Sequence, residues 1–521
     1  MISDTRHLCI KKLLGAIAAV GFALVLFLAY RMGGLAVVCS TVAILFFGIL
    51  ARANVRGAIL GVFAFSLFQA LLTRVIFSFD FPDALEQSML GYKDPLTTAV
   101  SFLLVGAAFL ALAGHISGSV KLTSLNMAGI IAVYALLNFL EIFNPGKSLI
   151  AGVYGAKNNV LPVLMLFAGS LVIRSPDDTV RFVKFIAWFS VVALAYGLYQ
   201  EVVGMPAFEQ FWHSRTVSAT SSVYLIFVGD VEFRDPHLAT SITMRVPSVF
   251  SGYTFYSCII VAFGIIIYAV GGEFGKGTWK PLRLTVLLLL GLYFLVSMER
   301  MAIVMFGVGV LAVHFRRSRQ NKHLLRFVFL CGVSLLIIYG AMLALVHIGV
   351  DAGNPRLVRI GELTDPFNAG TVTSGRIHGP WAEAANRIKA HPFTGTGTGS
   401  GMYTRGAQEQ DKPLGTHNEF LHKQLELGVF GLLSFLLMLF FLCRELMREG
   451  TAEEEPPSRR AYAAGMVGVL AAYVLCGLVN VPFTYEPGIV FWFLAGAALG
   501  RTQDQRSGSE ETELHPAALT G

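Results

Sequence analysis

The sequence predicts an all-α polytopic membrane protein of about fourteen transmembrane helices, counting runs that meet the ~20-residue length needed to cross a bilayer. Three observations predict it. Charged residues make up 14% of the chain, against roughly 25% in soluble domains, while hydrophobic residues reach 55%. That leaves too little polar surface to coat a soluble chain of 521 residues. Apolar runs recur along nearly the whole length, and Lys and Arg collect in alternate connectors between them.

The first run, Leu13 to about Tyr30, follows Arg6, Lys11 and Lys12. It is longer than a secretory h-region and no small-x-small cleavage site precedes Arg31, so it reads as an uncleaved first span. Further spans begin near Gly34, Gly57, Thr97, Met127, Asn158, Phe182, Tyr253, Leu282, Met301, Leu324, Leu425, Ala461 and Pro487. One side receives Arg52 and Arg56, Lys121, Arg174 and Arg181, Lys276 and Lys280. The same side receives the cluster Arg316 to Lys322, the group Arg444 to Arg460, and Arg501. The intervening connectors are poor in Lys and Arg, and one carries Asp80, Asp83 and Glu86. The positive-inside rule makes the basic side cytoplasmic and places both termini there. Because the net charge of +7 sits in these connectors, nucleic acid is excluded as a partner. The six cysteines fall in apolar runs or on the basic side, so no disulfide framework is expected.

The chain divides into N-terminal transmembrane helices over 1–252, with an outer loop at 200–252, and central helices over 253–348. An outer loop over 349–423, C-terminal helices over 424–500 and a polar tail over 501–521 complete it. Loops of such length are uncommon unless functional. Within the second, Trp381, Ala384, Ala385 and Ile388 recur at helical spacing, so a short helix is expected over Trp381 to Ala390. No internal repeat is visible, which argues against a transporter built from inverted halves.

Few ionisable residues interrupt the spans, where a charge costs roughly 2.5–3.5 kcal/mol. Arg74 and Glu141, near outer span ends, are expected to snorkel to the interface. Arg300 instead follows Ser297-Met298-Glu299 in a very short outer turn, held at the membrane surface. In the second loop, alternating glycines from Gly395 to Gly401 lack the Lys-Ser/Thr of a P-loop and read as a tight turn rather than a phosphate cradle. His378, His391, His417 and His422 match no zinc spacing, so no metal site is expected. By spacing alone His417 is an ordinary loop histidine.

A wider pattern changes its standing. Arg376, Trp381, His391-Pro392, Gly395 to Gly399, His417-Asn418 and Glu426 to Gly431 follow one another in the order that marks the O-antigen ligase and polysaccharide polymerase superfamily, and the region resembles its signature. Upstream, Ser297 to Arg300 is similar to the family's Ser-x-Ser/Thr-Arg turn, and Arg245 to Phe250 to its Arg-containing approach to a span. The likeness covers about residues 240–435, with Glu299 and Glu419 departing from the usual pattern.

The resemblance implies a GT-C-like fold in a bacterial inner membrane, with a periplasmic active site on the long loop. It implies transfer of a glycan from undecaprenyl pyrophosphate to an acceptor glycan or lipid A core, without metal or other cofactor, inverting the anomeric centre. His417 and Arg300 are then the expected catalytic residues. His417 would deprotonate the acceptor hydroxyl and Arg300 would stabilise the leaving pyrophosphate. Arg245, Arg376, Asn418 and Glu426 are the expected substrate-binding residues. Membrane lipids surround the protein, and the competing expectation is a polysaccharide or lipid-carrier transporter that forms no bond.

Overall fold

The computed structural model describes residues 38–79, 95–116, 120–122, 125–145, 148–210, 248–250, 253–271, 273–274, 278–297, 299–317, 377–401, 414–449 and 456–502. The spans expected from Leu13 and Leu324, and the tail after 502, lie outside these residues. The chain forms two compact units, Met1–Ala107 with Pro206–Thr220, and Ala108–Met205 with Ser221–Gly521.

In the first unit, α1 (Val38–Ala53) is followed by α2 (Val55–Phe79). The side chain of Asn54 accepts the Gly57 N–H at 2.9 Å and so satisfies a donor in the first turn of α2. Arg74 does not snorkel. It is 4% exposed and lies 2.6 Å from the carboxylate of Glu209, itself fully buried, because an ion among apolar helices is stabilised by a paired counter-ion. Helix α3 (Pro95–Ile116) begins in this unit and ends in the second.

The second unit contains α4 (Leu125–Glu141), α5 (Leu149–Ser170), α6 (Pro176–Val203), α7 (Tyr253–Val270), α8 (Trp279–Ser297) and α9 (Arg300–Arg317). It continues with α10 (Ala382–Ala390), α11 (Glu419–Glu449), α12 (Pro457–Gly477) and α13 (Tyr485–Leu499). Among the described residues, seven helices (α2, α3, α5, α6, α8, α11 and α12) are long and apolar enough to cross a membrane, and α1, α4, α7 and α13 are shorter apolar helices. The protein is a helical, multi-pass membrane protein.

Local sequence explains several boundaries. Ser175 and Asp178 form a reciprocal capping box on α6, with Pro176 at its first turn, and Gly204 ends it at φ 101°. Helix α5 starts at Leu149, where Ser148 caps it, rather than near Asn158. The polar run Lys157-Asn158-Asn159 looks like a span boundary in sequence, but it lies inside the helix, and Asn159 is buried and hydrogen-bonded.

Helices α5 and α13 pack with their backbones in contact: a Cβ on Gly169 would strike the Phe493 carbonyl, and one on Gly496 the Leu166 carbonyl. Small residues serve this purpose between membrane helices, where close van der Waals packing supplies the attraction. Gly309 and Gly468 play the same part where α9 crosses α12.

The two ends of the unit differ. At one end, β1 (Val120–Leu122) pairs antiparallel with β2 (Gly500–Thr502), setting Lys121 opposite Arg501. Arg459 donates to the Gly500 carbonyl, Arg316 to the Met447 carbonyl and Arg317 to the Ala269 carbonyl, satisfying backbone acceptors at the ends of helices. The opposite end, separated by the 22 residues of α5 or about 33 Å, gathers the first turns of α5, α7, α9, α11 and α13. There Phe255 of α7 stacks on Tyr485 of α13, and Thr484 bonds Glu419 of α11.

A broken helix clasped by a glycine loop: the candidate active site

Helix α11 holds the site together because it is broken. At Gly428 the backbone takes φ 64°, ψ −165°, a region essentially closed to residues with a Cβ. The break frees backbone groups of the preceding turn, and the glycine-rich loop satisfies them. Thr396 N–H donates to the Leu425 carbonyl at 2.7 Å, and Gly397 N–H donates to the Glu426 carbonyl at 3.1 Å. In return the Pro392 carbonyl accepts Val429 N–H at 2.9 Å. The approach is so close that a Cβ on Gly428 would strike the Phe393 carbonyl. His391-Pro392, Gly-x-Gly-x-Gly and Glu-x-Gly, separate in sequence, are therefore one clasp. Gly428→Ala is expected to cost at least about 1–3 kcal/mol from the backbone alone, with the carbonyl collision added. A lowered melting temperature of the detergent-solubilised protein measures it, and an unchanged one refutes the clasp.

Glu426 closes the clasp from within. Its side chain is fully buried, and Oε1 accepts Gly399 N–H at 2.9 Å and Gly401 N–H at 3.1 Å. The carboxylate thus occupies the concavity that backbone donors would otherwise offer to a phosphate. The tight-turn reading of the glycines holds. On the far side, Thr398 Oγ1 donates to the Gly152 carbonyl at 3.1 Å, and a Cβ on Gly155 would meet the Gly399 backbone, so the loop lies flat on α5.

The other Glu426 oxygen enters a buried polar network between helices. Oε2 accepts Asn159 Nδ2–H at 2.7 Å and lies 3.5 Å from His422 Nε2. Asn159 Oδ1 accepts from Lys423 Nζ at 2.7 Å, while its Nδ2 also donates to Asn138 Oδ1 at 3.0 Å. Lys423 Nζ lies 2.9 Å from Glu419 Oε1 and donates to Thr484 Oγ1 at 3.3 Å. Glu419 in turn accepts the Phe483 N–H at 3.1 Å and the Thr484 hydroxyl at 2.9 Å. Sequence reasoning passes over Asn138, Asn159 and Lys423, and meets Glu419 only as a departure from the family pattern. Two signals mark them: asparagines inside apolar runs, and the 419, 422, 423, 426 spacing that sets four polar side chains on one helix face.

His417 stands immediately before this helix. Its φ is 45°, in the left-handed region, and it is half-buried. Trp381 Nε1–H donates to the Thr416 carbonyl at 2.6 Å on one side of it. On the other, Asn418 caps α11 by accepting Leu421 N–H at 2.9 Å and donates to the Leu478 carbonyl at 2.9 Å. Both side-chain ends of Asn418 are thus engaged with backbone. The stripe predicted over Trp381 to Ala390 forms α10 after a π-helical turn, Ile377–Trp381, with Ala384 buried and Ile388 against Leu414 and Leu425. The span expected from Leu425 begins six residues earlier, at Glu419, because Asn418 supplies the cap.

The remaining expected residues are placed as follows. Arg300 opens α9 directly after the turn that ends α8, at the same end of the unit as the first turn of α11. Arg245 and Arg376 lie outside the described residues. His391 is exposed at the end of α10 and His422 is buried beside Glu426. Among the described residues, no three His, Cys, Asp or Glu side chains converge as a metal-binding group.

Residues 285–436, from within α8 through the break in α11, match the family model described as O-antigen ligase. The match supports membership of the O-antigen ligase superfamily. No curated protein matches the chain significantly. O-antigen ligases are glycosyltransferases, so the match supports glycan transfer of the ligase or polymerase type at the level of the family. The segment matching the O-antigen ligase model contains Arg300, Arg376, His417, Asn418 and Glu426. Asn138, Asn159 and Thr484, which complete the buried network, lie outside it.

Proposed function

We propose that this O-antigen ligase-type protein moves a glycan from undecaprenyl pyrophosphate to the hydroxyl of an acceptor sugar, by inversion and without a metal ion, on the periplasmic face of a bacterial inner membrane. The acceptor is a growing glycan or a lipid A core. The observation that carries the reading is His417: a half-buried imidazole in a left-handed backbone, fixed by Trp381 before it and Asn418 after it. A general base must be held in one place to be effective, and rigid anchoring on both sides does that.

The acceptor oxygen attacks the anomeric carbon as its proton passes to His417. The bond from that carbon to the pyrophosphate oxygen breaks, and the leaving group takes the electron pair. Arg300 stabilises the charge that develops there, with Arg245 and Arg376 as further phosphate-binding guanidiniums in place of a divalent cation. Asn418 and Glu426 contribute by holding the backbone around the sugar-binding surface. The basic ends of the helices lie opposite the His417 end, which supports cytoplasmic termini and a periplasmic site. About fourteen spans on the ~20-residue criterion complete the topology.

The test is direct. Purified protein incubated with a carrier-linked oligosaccharide and an acceptor should release carrier pyrophosphate and form an extended glycan. Arg300→Ala should lose both products while inserting normally. Carrier-linked donor left intact by the wild-type protein, whether offered free glycan or lipid A core, ends the proposal. Product formed with only one of those acceptors separates polymerase from ligase.

A further inference from the structure

The Asn159–Glu426 contact joins residues 267 positions apart and leads, bond by bond, to the candidate base. Glu426 Oε1 fixes Gly399 and Gly401. Between them, the Ser400 carbonyl accepts Leu414 N–H at 2.9 Å, and its hydroxyl accepts from Thr396 Oγ1 at 2.7 Å. Leu414 opens the segment that reaches His417 three residues later. We infer that Asn159 and Glu426 act as a pair of positioning residues that set the placement of His417, resting on the glycosyl-transfer reading above.

The polarity of the pair is fixed by its surroundings. Lys423 can only donate and a carboxylate can only accept, so Asn159 must turn Oδ1 to Lys423 and Nδ2 to Glu426. Each single change therefore leaves a conflict no side-chain flip can remove. In Glu426→Gln, one amide orientation faces the Asn159 N–H and the other faces the N–H groups of Gly399 and Gly401. In Asn159→Asp, two carboxylates meet at the site of a 2.7 Å hydrogen bond. Combining the changes reverses the bond. The amide at position 426 then donates, the carboxylate at position 159 accepts, and Lys423 still donates to the second oxygen of that carboxylate. The 3.0 Å bond from Asn159 to Asn138 Oδ1 is lost, and the Glu426 carboxylate no longer faces His422 Nε2.

The experiment compares Glu426→Gln, Asn159→Asp and the double variant in the full-length protein at equal inserted amounts. Each single variant should lower kcat for transfer by up to about 100-fold with little change in donor KM, as displacement of a catalytic group by about 1 Å does. The double variant should recover roughly tenfold or more over the weaker single, a coupling energy near 1.4 kcal/mol. Hydrogen exchange provides a readout independent of activity. Residues 396–401 and 414–418 should exchange faster in each single variant and regain protection in the double. Singles with wild-type kcat and protection, or a double no better than the weaker single, overturn the inference. If the wild-type protein transfers no glycan yet the exchange pattern appears, the clamp stands as a structural coupling, whereas its positioning of a base for glycosyl transfer falls with that reading.

Discussion

His417→Asn is expected to reduce glycan transfer by about 10²–10⁴-fold, the range a general base contributes, with normal insertion and abundance. Asparagine is the informative replacement because position 417 sits at φ 45°. Asparagine tolerates left-handed backbone, whereas alanine there carries roughly 1–2 kcal/mol of strain that asparagine escapes. His417→Ala should thus be equally inactive and measurably less stable than His417→Asn. The two variants separate loss of the imidazole from loss of the loop's shape, with product formation read beside a melting curve. An active His417→Asn removes the imidazole from the mechanism, whatever the alanine variant does.

The second large effect is on stability. Lys423 is fully buried between Glu419, Asn159 and Thr484, with the ring of Phe435 5.6 Å from its ammonium. Lys423→Ala leaves Glu419 and Glu426, both 0% exposed, without their buried cation. Breaking a buried pair by removing one partner costs about 3–5 kcal/mol, enough to remove much of the folded protein from membranes. Replacing both members, Lys423→Met with Glu419→Gln, removes both charges of the pair, leaves no unpaired carboxylate at position 419 and should recover part of the loss, because the uncompensated charge, more than the missing contact, is what destabilises. Thermal unfolding in detergent measures both. A Lys423→Ala protein that melts with the wild type would show that the lysine does not balance these carboxylates.

These expectations draw on features with different legibility in the sequence. The short helix from Trp381 is readable because its apolar spacing repeats locally, and α8 and α9 because a few residues separate two apolar runs. The start of α5 is not, because Asn158 and Asn159 look polar in isolation, and only Glu426, Asn138 and Lys423 explain the place of Asn159 within a helix. Arg74 misleads for the same reason: its partner Glu209 is 135 residues away in sequence, though adjacent in space.

The sequence by itself determined the membrane class, the approximate position of the apolar helices, the basic ends and the order of the family's motifs. Each of these follows from hydropathy, charge or spacing within a few tens of residues. Only the tertiary structure decided that the glycine run and Glu-x-Gly form one clasp around a broken helix, that Glu426 accepts the loop's Gly399 and Gly401 N–H groups, and that α5 supplies the residue opposing it. The physical reason is that a buried hydrogen-bonding group must find a partner when water is absent, and which partner it finds depends on which helices pack together.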